Sequence, residues 1–126
     1  MSDLYDAGLA TRRKVLGEAH VARASAAVTP LDERFQKMIT EAAWGRTWSE
    51  GHLSTRERSM ITMGILAAMG HWEEFGLHIR ASVNTGATEE DIAEVLMHVA
   101  IYAGVPAANH GYKVAKALLA EMEAAR

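Results

Sequence analysis

Two pairs of a glutamate and a histidine are the first residues in the chain that could do chemistry. They are Glu74 with His78 and Glu94 with His98, each pair separated by four positions. This spacing places both side chains on one face of a helix, within reach of each other. A carboxylate that binds an imidazole fixes its tautomer and raises its basicity, which suits acid–base catalysis. Such pairs are also typical of contacts that only stabilise an exposed helix, so spacing alone leaves both interpretations open.

Arginine side chains could hold a carboxylate substrate, because a guanidinium pairs with a carboxylate through two parallel hydrogen bonds. Arg58 and Arg80 adjoin apolar residues and are the stronger candidates, although a glutamate could engage either of them. Arg56 falls in the first, exposed turn of a predicted helix, where a surface role is expected. Trp44 and Trp48 could anchor the core or an interface, or could form the wall of a ligand site.

A metal centre is not expected. His71, Glu74 and His78 recur at i, i+3 and i+7 and could be taken for a ligand set, but the chain lacks an HExxH motif. It also lacks the repeated Glu-x-x-His spacing of di-metal carboxylate bundles. There is no cysteine, which excludes disulfides, thiolate catalysis and cysteine metal sites.

The elements that must position these residues are predicted to be helices throughout. Alanine, leucine and glutamate are common, and no alternating strand pattern or hairpin turn occurs. Ser54 with Glu57, and more weakly Thr88 with Asp91, have the spacing of capping boxes. Thr29-Pro30 is expected to open another helix. We expect an all-α bundle of six or seven helices, over residues 4–16, 18–27, 30–42, 55–69, 71–84, 89–103 and 106–123, with a loop over residues 45–53.

Length and charge set the class of protein. The 126 residues suit a single domain over residues 1–126. The net charge is −3 with acids and bases interleaved, which gives no support to a nucleic-acid partner. No segment has the 18 or so apolar residues needed to cross a bilayer, and no signal-peptide pattern begins the chain, so we predict a cytoplasmic protein without a membrane partner.

Two predicted helices are apolar around much of their circumference, more than a monomer of this size could bury. On these grounds we expect a homo-oligomer. The residues concerned are Ile61, Met63, Ile65, Leu66 and Met69 in the first helix, and Val95, Leu96, Val99, Ala100 and Ile101 in the second.

Five sequence blocks together resemble one family, the γ-carboxymuconolactone decarboxylases of the alkylhydroperoxidase D-like superfamily. The blocks extend over nearly the whole chain, in the expected order and at the expected separations. They are "RRKVLGEAHVARA" (residues 12–24), "TPLDERFQKMITEAAWGRTW" (29–48), "RSMIT" (58–62), "LHIRASVNTGATEEDIAEVL" (77–96) and "AIYAGVPAAN" (100–109).

The resemblance implies an all-α, alkylhydroperoxidase D-like fold and a homo-oligomer that is typically a hexamer. It also implies a lyase that works without a cofactor in the protocatechuate branch of the β-ketoadipate pathway. Such an enzyme removes CO2 from γ-carboxymuconolactone to form β-ketoadipate enol-lactone. Redox relatives carry a Cys-x-x-Cys pair, which falls here on Pro106 and Asn109, so thiol peroxidase chemistry is not viable.

Roles for individual residues follow as a hypothesis from this resemblance. His78 would donate the proton or bind the oxyanion, with Glu74 orienting it. Arg58 and Arg80 would hold the acetate arm of the lactone. The remaining candidates are hydrogen-bond donors at the rim, Tyr102 and Asn109, and walls of the site, Trp44 and Trp48.

Two departures from the family pattern bear on the substrate. Glu50-Gly51-His52-Leu53 stands where the family usually has an Arg-Pro-Gly-Leu-like loop, so an arginine is replaced by an acid. His110-Gly111-Tyr112 follows "PAAN", where a small residue and an aromatic are usual. Alternatives to the leading hypothesis are therefore a related decarboxylase or lactone enzyme with another substrate, and a helical oligomer that binds a ligand without catalysis.

Overall fold

The computed structural model describes residues 2–126, and all regular secondary structure within them is helical. The all-α prediction and the expected number of helices are confirmed. A segment of π-helix, Thr40–Thr47, follows directly on the third helix. The seven α-helices are α1 (Asp3–Leu16), α2 (Glu18–Ala26), α3 (Glu33–Ile39), α4 (Thr55–Met69), α5 (Trp72–Thr85), α6 (Glu89–Tyr102) and α7 (Val105–Ala124).

Both predicted capping boxes form. In α4, the Glu57 amide donates to Ser54 Oγ at 3.1 Å and the Ser54 amide donates to Glu57 Oε1 at 2.8 Å. In α6, the Asp91 amide donates to Thr88 Oγ1 at 3.1 Å and the Thr88 amide donates to Asp91 Oδ2 at 2.9 Å. Each box satisfies two backbone donors that a helix start would otherwise leave unpaired.

The predicted start of the third helix at Thr29-Pro30 is wrong, because α3 begins at Glu33. The Asp32 carboxylate turns back and accepts a hydrogen bond from the Thr29 amide at 2.8 Å. The Asp32 amide in turn donates to the Thr29 carbonyl at 3.1 Å. These bonds close a turn around Pro30, and the turn uses the polar groups that were expected to cap a helix.

The loop predicted over residues 45–53 is also wrong at its start, because the π-helix continues to Thr47. Gly45 acts as a packing residue against α1. A Cβ on Gly45 would lie 2.7 Å from the Leu4 carbonyl oxygen, and a Cβ on Gly8 would lie 2.1 Å from that of Thr40. The two glycines let the backbones of α1 and the π-helix approach, which a sequence pattern cannot distinguish from a helix-ending glycine.

The chain divides into two compact units, Met1–Leu53 and Ser54–Arg126. In the N-terminal unit, α1 packs against the π-helix and α2, and Val15, Val21 and Trp44 are its buried apolar residues. The expectation of one domain over residues 1–126 stays a prediction.

The C-terminal unit is a four-helix arrangement in which α4 contacts α5 and α6, and α7 contacts α5 and α6. Met63, Phe75, Ile79 and Leu96 are completely buried in its core. Each such side chain contributes roughly 1.5–3 kcal/mol through removal from water. No helix within residues 2–126 is long and apolar enough to cross a membrane.

Candidate active site

His78 lies in α5 with only 8% of its surface exposed. Burial lowers the pKa of its imidazole from 6.5 to about 4, because the charged form loses its hydration. The ring is therefore neutral near pH 7, with one nitrogen carrying a proton and the other able to accept one. A neutral imidazole can donate a hydrogen bond to an oxyanion, whereas an imidazolium acid would be scarce at this position.

The two glutamate–histidine pairs have different surroundings. Glu74 is exposed, one helical turn before the buried His78. Glu94 and His98 are both exposed on α6, and the Nδ1 atom of His98 lies 3.1 Å from the backbone carbonyl oxygen of Glu94. Because a carbonyl only accepts, the Nδ1–H group of His98 is the donor in this bond.

The arginines differ in what they contact. Arg80 is half-exposed and its Nη2 lies 3.6 Å from Oε2 of Glu121, so a glutamate does engage this candidate. Arg56 makes two hydrogen bonds to the Asp91 carboxylate, at 2.8 Å and 2.5 Å. Arg58 is half-buried in the first turn of α4. Arg56 therefore joins α4 to α6, which indicates a structural role for this arginine.

Arg58 and Tyr102 lie at opposite ends of one helix pair. The bond between Arg56 and Asp91 places the starts of α4 and α6 side by side, and Arg58 follows Arg56 by two residues. Tyr102 is the last residue of α6, and a helix of this length extends about 20 Å. Tyr102 is 87% exposed, and Asn109 is exposed on α7.

Trp44 and Trp48 form a stacked pair in the N-terminal unit. Their ring centroids are 5.1 Å apart with an interplanar angle of 28°. Trp44 is buried, while Trp48 is partly exposed. The pair is consistent with both predicted roles, a core anchor through Trp44 and a wall that offers the Trp48 ring.

The α4/α6 groove is a cavity of about 500 Å³ along the outer side of these two helices. Its walls are mainly aliphatic, and its polar side chains are Glu94, His98 and Tyr102. No arginine or lysine within the described residues lines it. A dianionic substrate needs cations, so the composition of this groove favours an apolar occupant.

His110, Gly111 and Tyr112, which depart from the family pattern, make contacts that the sequence did not predict. The His110 ring stacks on Trp72, with centroids 4.3 Å apart and planes at 20°. A Cβ on Gly111 would lie 2.6 Å from Leu96 Cδ2, so this glycine allows α6 and α7 to pack closely. The Tyr112 hydroxyl donates to the Ala93 carbonyl at 2.8 Å. All three residues thus make packing contacts within the C-terminal unit.

Among residues 2–126 no three histidine, aspartate or glutamate side chains converge as a ligand set for a metal ion. The stripe of His71, Glu74 and His78 includes an exposed residue at the helix start and a buried one a further two turns along. Helical spacing brought these residues to one side of α5 without bringing their ligand atoms to one point.

Comparison with known proteins bears on the chemistry of these residues. The sequence profile of the carboxymuconolactone decarboxylase family matches residues 33–117, which is more than half of the chain. The chain belongs to this family. The match includes His78, both glutamate–histidine pairs and the Pro106–Asn109 segment, and it confirms the resemblance drawn from the sequence blocks.

Three relatives of this family member align over most of their own length. A 4-carboxymuconolactone decarboxylase of Acinetobacter baylyi is 36% identical over 118 residues, covering 94% of this chain and 88% of the relative. A nitrosuccinic acid decarboxylase of Metarhizium robertsii is 40% identical over 103 residues, covering 82% of this chain and 72% of the relative. A 4-carboxymuconolactone decarboxylase of Pseudomonas putida is 49% identical over 41 residues, 32% of this chain and 85% of the relative.

Proposed function

We propose that this protein is a carboxy-lyase that converts γ-carboxymuconolactone to β-ketoadipate enol-lactone in aromatic catabolism, without a cofactor. The observation that carries the proposal is the similarity to a 4-carboxymuconolactone decarboxylase over 94% of the chain. The complete absence of cysteine supports it, because the thiol chemistry of redox relatives has no nucleophile here. The cytoplasmic location expected from the sequence stays a prediction.

The reaction needs little beyond an electrostatic environment. The leaving carboxylate is attached to a ring carbon that is conjugated, through a C=C bond, to the lactone carbonyl. As the C–C bond to CO2 breaks, its electron pair moves into that carbonyl and forms a furan-like oxyanion. A proton then adds to the ring carbon next to the carbonyl, which restores the C=O bond and leaves the C=C bond at the carbon that lost CO2, so each turnover consumes one proton. The ring itself is the electron sink, and the protein has to stabilise the oxyanion and deliver the proton.

His78 is assigned here as the donor to the oxyanion. Its lowered pKa supports this role over that of an imidazolium acid, because the ring is neutral at the pH of the reaction. A neutral N–H that points at a developing oxyanion contributes typically about 3 kcal/mol to transition-state stabilisation. Burial also places the donor in a medium where its interaction with negative charge is stronger.

The other predicted residues keep supporting roles in the proposal. Glu74 would orient His78, and Arg58 and Arg80 would hold the acetate arm. For Arg80 this requires exchange of the half-exposed Glu121 for the substrate carboxylate, a small cost because the 3.6 Å pair is solvated. The rim roles of Tyr102 and Asn109 are retained in the proposal, and the wall role of Trp44 and Trp48 stays a prediction from the family resemblance.

A second candidate substrate is supported by a specific observation. The 40% identical relative is named for nitrosuccinic acid, a dicarboxylic acid that carries a nitro group. A nitro group accepts the electron pair left by CO2 much as the conjugated lactone does. Both names therefore describe a carboxylate that leaves from a molecule with its own electron sink, and the altered Glu50–Leu53 segment makes the choice between them open to test.

The decisive assay compares γ-carboxymuconolactone and nitrosuccinate as substrates of the purified protein. CO2 release and proton uptake are measured with and without a chelator, and the matched control is the His78→Gln variant. Turnover of the lactone that is unaffected by the chelator supports the leading proposal, and turnover of nitrosuccinate alone replaces it with the second. Binding of either compound without CO2 release would contradict both.

The α4/α6 groove supports a homo-oligomer, with a hexamer as the form that the family resemblance implies. Ile61, Ile65 and Tyr102 line the groove with 49%, 53% and 87% of their surfaces exposed. A continuous exposed apolar surface of this kind is typical of a protein interface. We expect an Ile65→Glu variant to reduce the molar mass measured by light scattering, and a Val83→Glu variant, 73% exposed on α5, to leave it unchanged. A wild-type monomer at high dilution would contradict the proposal.

A further inference from the structure

A second cavity, of about 250 Å³, lies entirely within the N-terminal unit. It is lined by α1, by residues of α2 and the turn that follows it, and by α3. Leu9 and Val28 form apolar parts of its wall, and the charged lining residues are Arg12, Lys37 and Glu33. The cavity thus combines a small volume, an apolar wall and an excess of one positive charge.

Arg12 is the residue that gives this cavity its chemistry. Its Nε atom is buried and has no hydrogen-bond partner among the described residues. Within residues 2–126 its guanidinium also forms no ion pair. A buried guanidinium N–H without an acceptor is unusual, since buried donors in native proteins are normally satisfied by protein, water or a ligand.

Arg12 and Arg23 together place positive charge near His20. The pKa of His20 is lowered, first by burial and then by the positive charges of Arg12 and Arg23. Burial also lowers the pKa of Arg12, although an arginine stays protonated at any physiological pH. An anion in the cavity would relieve this unfavourable accumulation of positive charge.

We propose that this cavity binds the carboxylate of a small organic acid, with Arg12 as the anchoring cation. The fork of guanidinium donors matches the two oxygens of a carboxylate, and Arg12 Nε is a donor with no other acceptor in the described chain. The apolar wall of Leu9 and Val28 suits the carbon chain of such an acid and offers nothing to an inorganic anion. Lys37 supplies a second charge for the same ligand. This ligand site is additional to the proposed decarboxylation and requires no turnover.

The test uses succinate, which has no electron sink and cannot be decarboxylated by the proposed reaction. In ¹H–¹⁵N spectra of the wild-type protein, succinate should shift the Arg12 Nε–H resonance in a saturable way. The pKa of His20, followed by its ring protons, should rise on binding. A titration with inorganic phosphate at equal ionic strength separates recognition of the carboxylate from binding of any anion.

Arg12→Gln should weaken succinate binding by about tenfold or more, which is the effect of losing hydrogen bonds to a charged group. Arg13→Gln is the matched control, because it removes the same charge from an exposed position on the same helix and should leave affinity within about twofold. Arg12→Lys keeps the charge and loses the fork, so its affinity should be intermediate.

Three results would overturn the proposal: no saturable shift of Arg12 Nε–H, equal weakening by Arg12→Gln and Arg13→Gln, or phosphate binding as tight as succinate. Circular dichroism establishes that each variant remains helical, and Arg12→Lys serves if Arg12→Gln does not fold. None of these measurements depends on CO2 release, so a negative result here leaves the decarboxylase proposal standing, and the reverse also holds.

Discussion

Asp91 joins the starts of α4 and α6 through Arg56. The two Arg56 hydrogen bonds, at 2.8 Å and 2.5 Å, reach the same carboxylate that caps α6 by accepting from the Thr88 amide. Asp91 is almost fully buried, whereas Arg56 is half-exposed. One carboxylate therefore caps the start of α6 and also fixes the position of that helix against α4.

Replacement of Asp91 should destabilise the protein more than loss of the cap alone. Thr88→Ala removes one side-chain cap and should cost about 1 kcal/mol of unfolding free energy. Asp91→Ala removes the reciprocal cap bond and both bonds to Arg56, so we expect a larger loss in urea denaturation. Glu90→Ala, an exposed acid in the same helical turn, is the control. Equal effects of Thr88→Ala and Asp91→Ala would show that the bond to Arg56 contributes nothing.

Acid should weaken this junction only at low pH. The hydrogen bonds from Arg56 hold the pKa of Asp91 well below its usual range. The stabilising contribution is therefore complete above the unfolded-state pKa near 3.9 and is lost as the pH falls from there through the folded-state value. Wild type and Asp91→Asn should accordingly differ most in unfolding free energy above pH 5, and the difference should shrink as the pH falls below 4.

His78 should impose a pH dependence in a different window and with a different cause. Its folded-state pKa, about 4, lies below the unfolded value of 6.5 because burial disfavours the charged ring. Between these values the unfolded chain binds a proton that the folded chain does not, so stability falls as the pH drops from 6.5 to 4. The full gap corresponds to about 3 kcal/mol.

The measurement is the unfolding free energy of wild type and His78→Gln from pH 7.5 to 4.5. In the His78→Gln variant, the unfolding free energy should depend much less on pH than in the wild type. His98→Gln changes an exposed histidine and should keep the wild-type dependence. An unchanged slope in His78→Gln would mean that His78 is not the buried neutral group that its surroundings indicate.

Substitution of His78 and substitution of His98 should have different effects on decarboxylase activity. If His78 donates to the oxyanion, His78→Gln should lower kcat by about 10²–10³-fold, with a smaller effect on KM, because the bond is made mainly in the transition state. His98→Gln should change kcat less than tenfold, since the Nδ1 proton of His98 is already given to the backbone carbonyl of Glu94. Full activity of His78→Gln would remove His78 from the mechanism.

Gly111 should resist a substitution that helix propensity favours. Alanine in a helix is preferred to glycine by about 1 kcal/mol, but a Cβ here would lie 2.6 Å from Cδ2 of the completely buried Leu96. We expect Gly111→Ala to cost about 1–3 kcal/mol through overpacking. Gly64→Ala is the control, because its Cβ would meet Val95 at 3.4 Å, where little adjustment is needed. In thermal unfolding, stabilisation by Gly111→Ala would contradict the close packing of α6 and α7.

Much of the local structure could be predicted from the sequence alone. Some features depend only on residues within four positions of each other, so they can be predicted from the sequence. They are the helix periodicity, the Ser54–Glu57 and Thr88–Asp91 capping boxes and the glycines that end helices. The same is true of the chemistry excluded by the absence of cysteine. The family could also be recognised, because its blocks lie in order along nearly the whole chain.

The tertiary structure decided what those residues contact. Gly45 and Gly111 have the same local signal as a helix end, and only the approach of Leu4 and Leu96 makes them packing residues. Arg56 and Asp91 are 35 positions apart, and Arg12 lines a cavity whereas its neighbour Arg13 is exposed. Long-range hydrogen bonds, burial and the resulting pKa values depend on groups that folding brings together from distant positions. They therefore cannot be predicted from spacing along the chain.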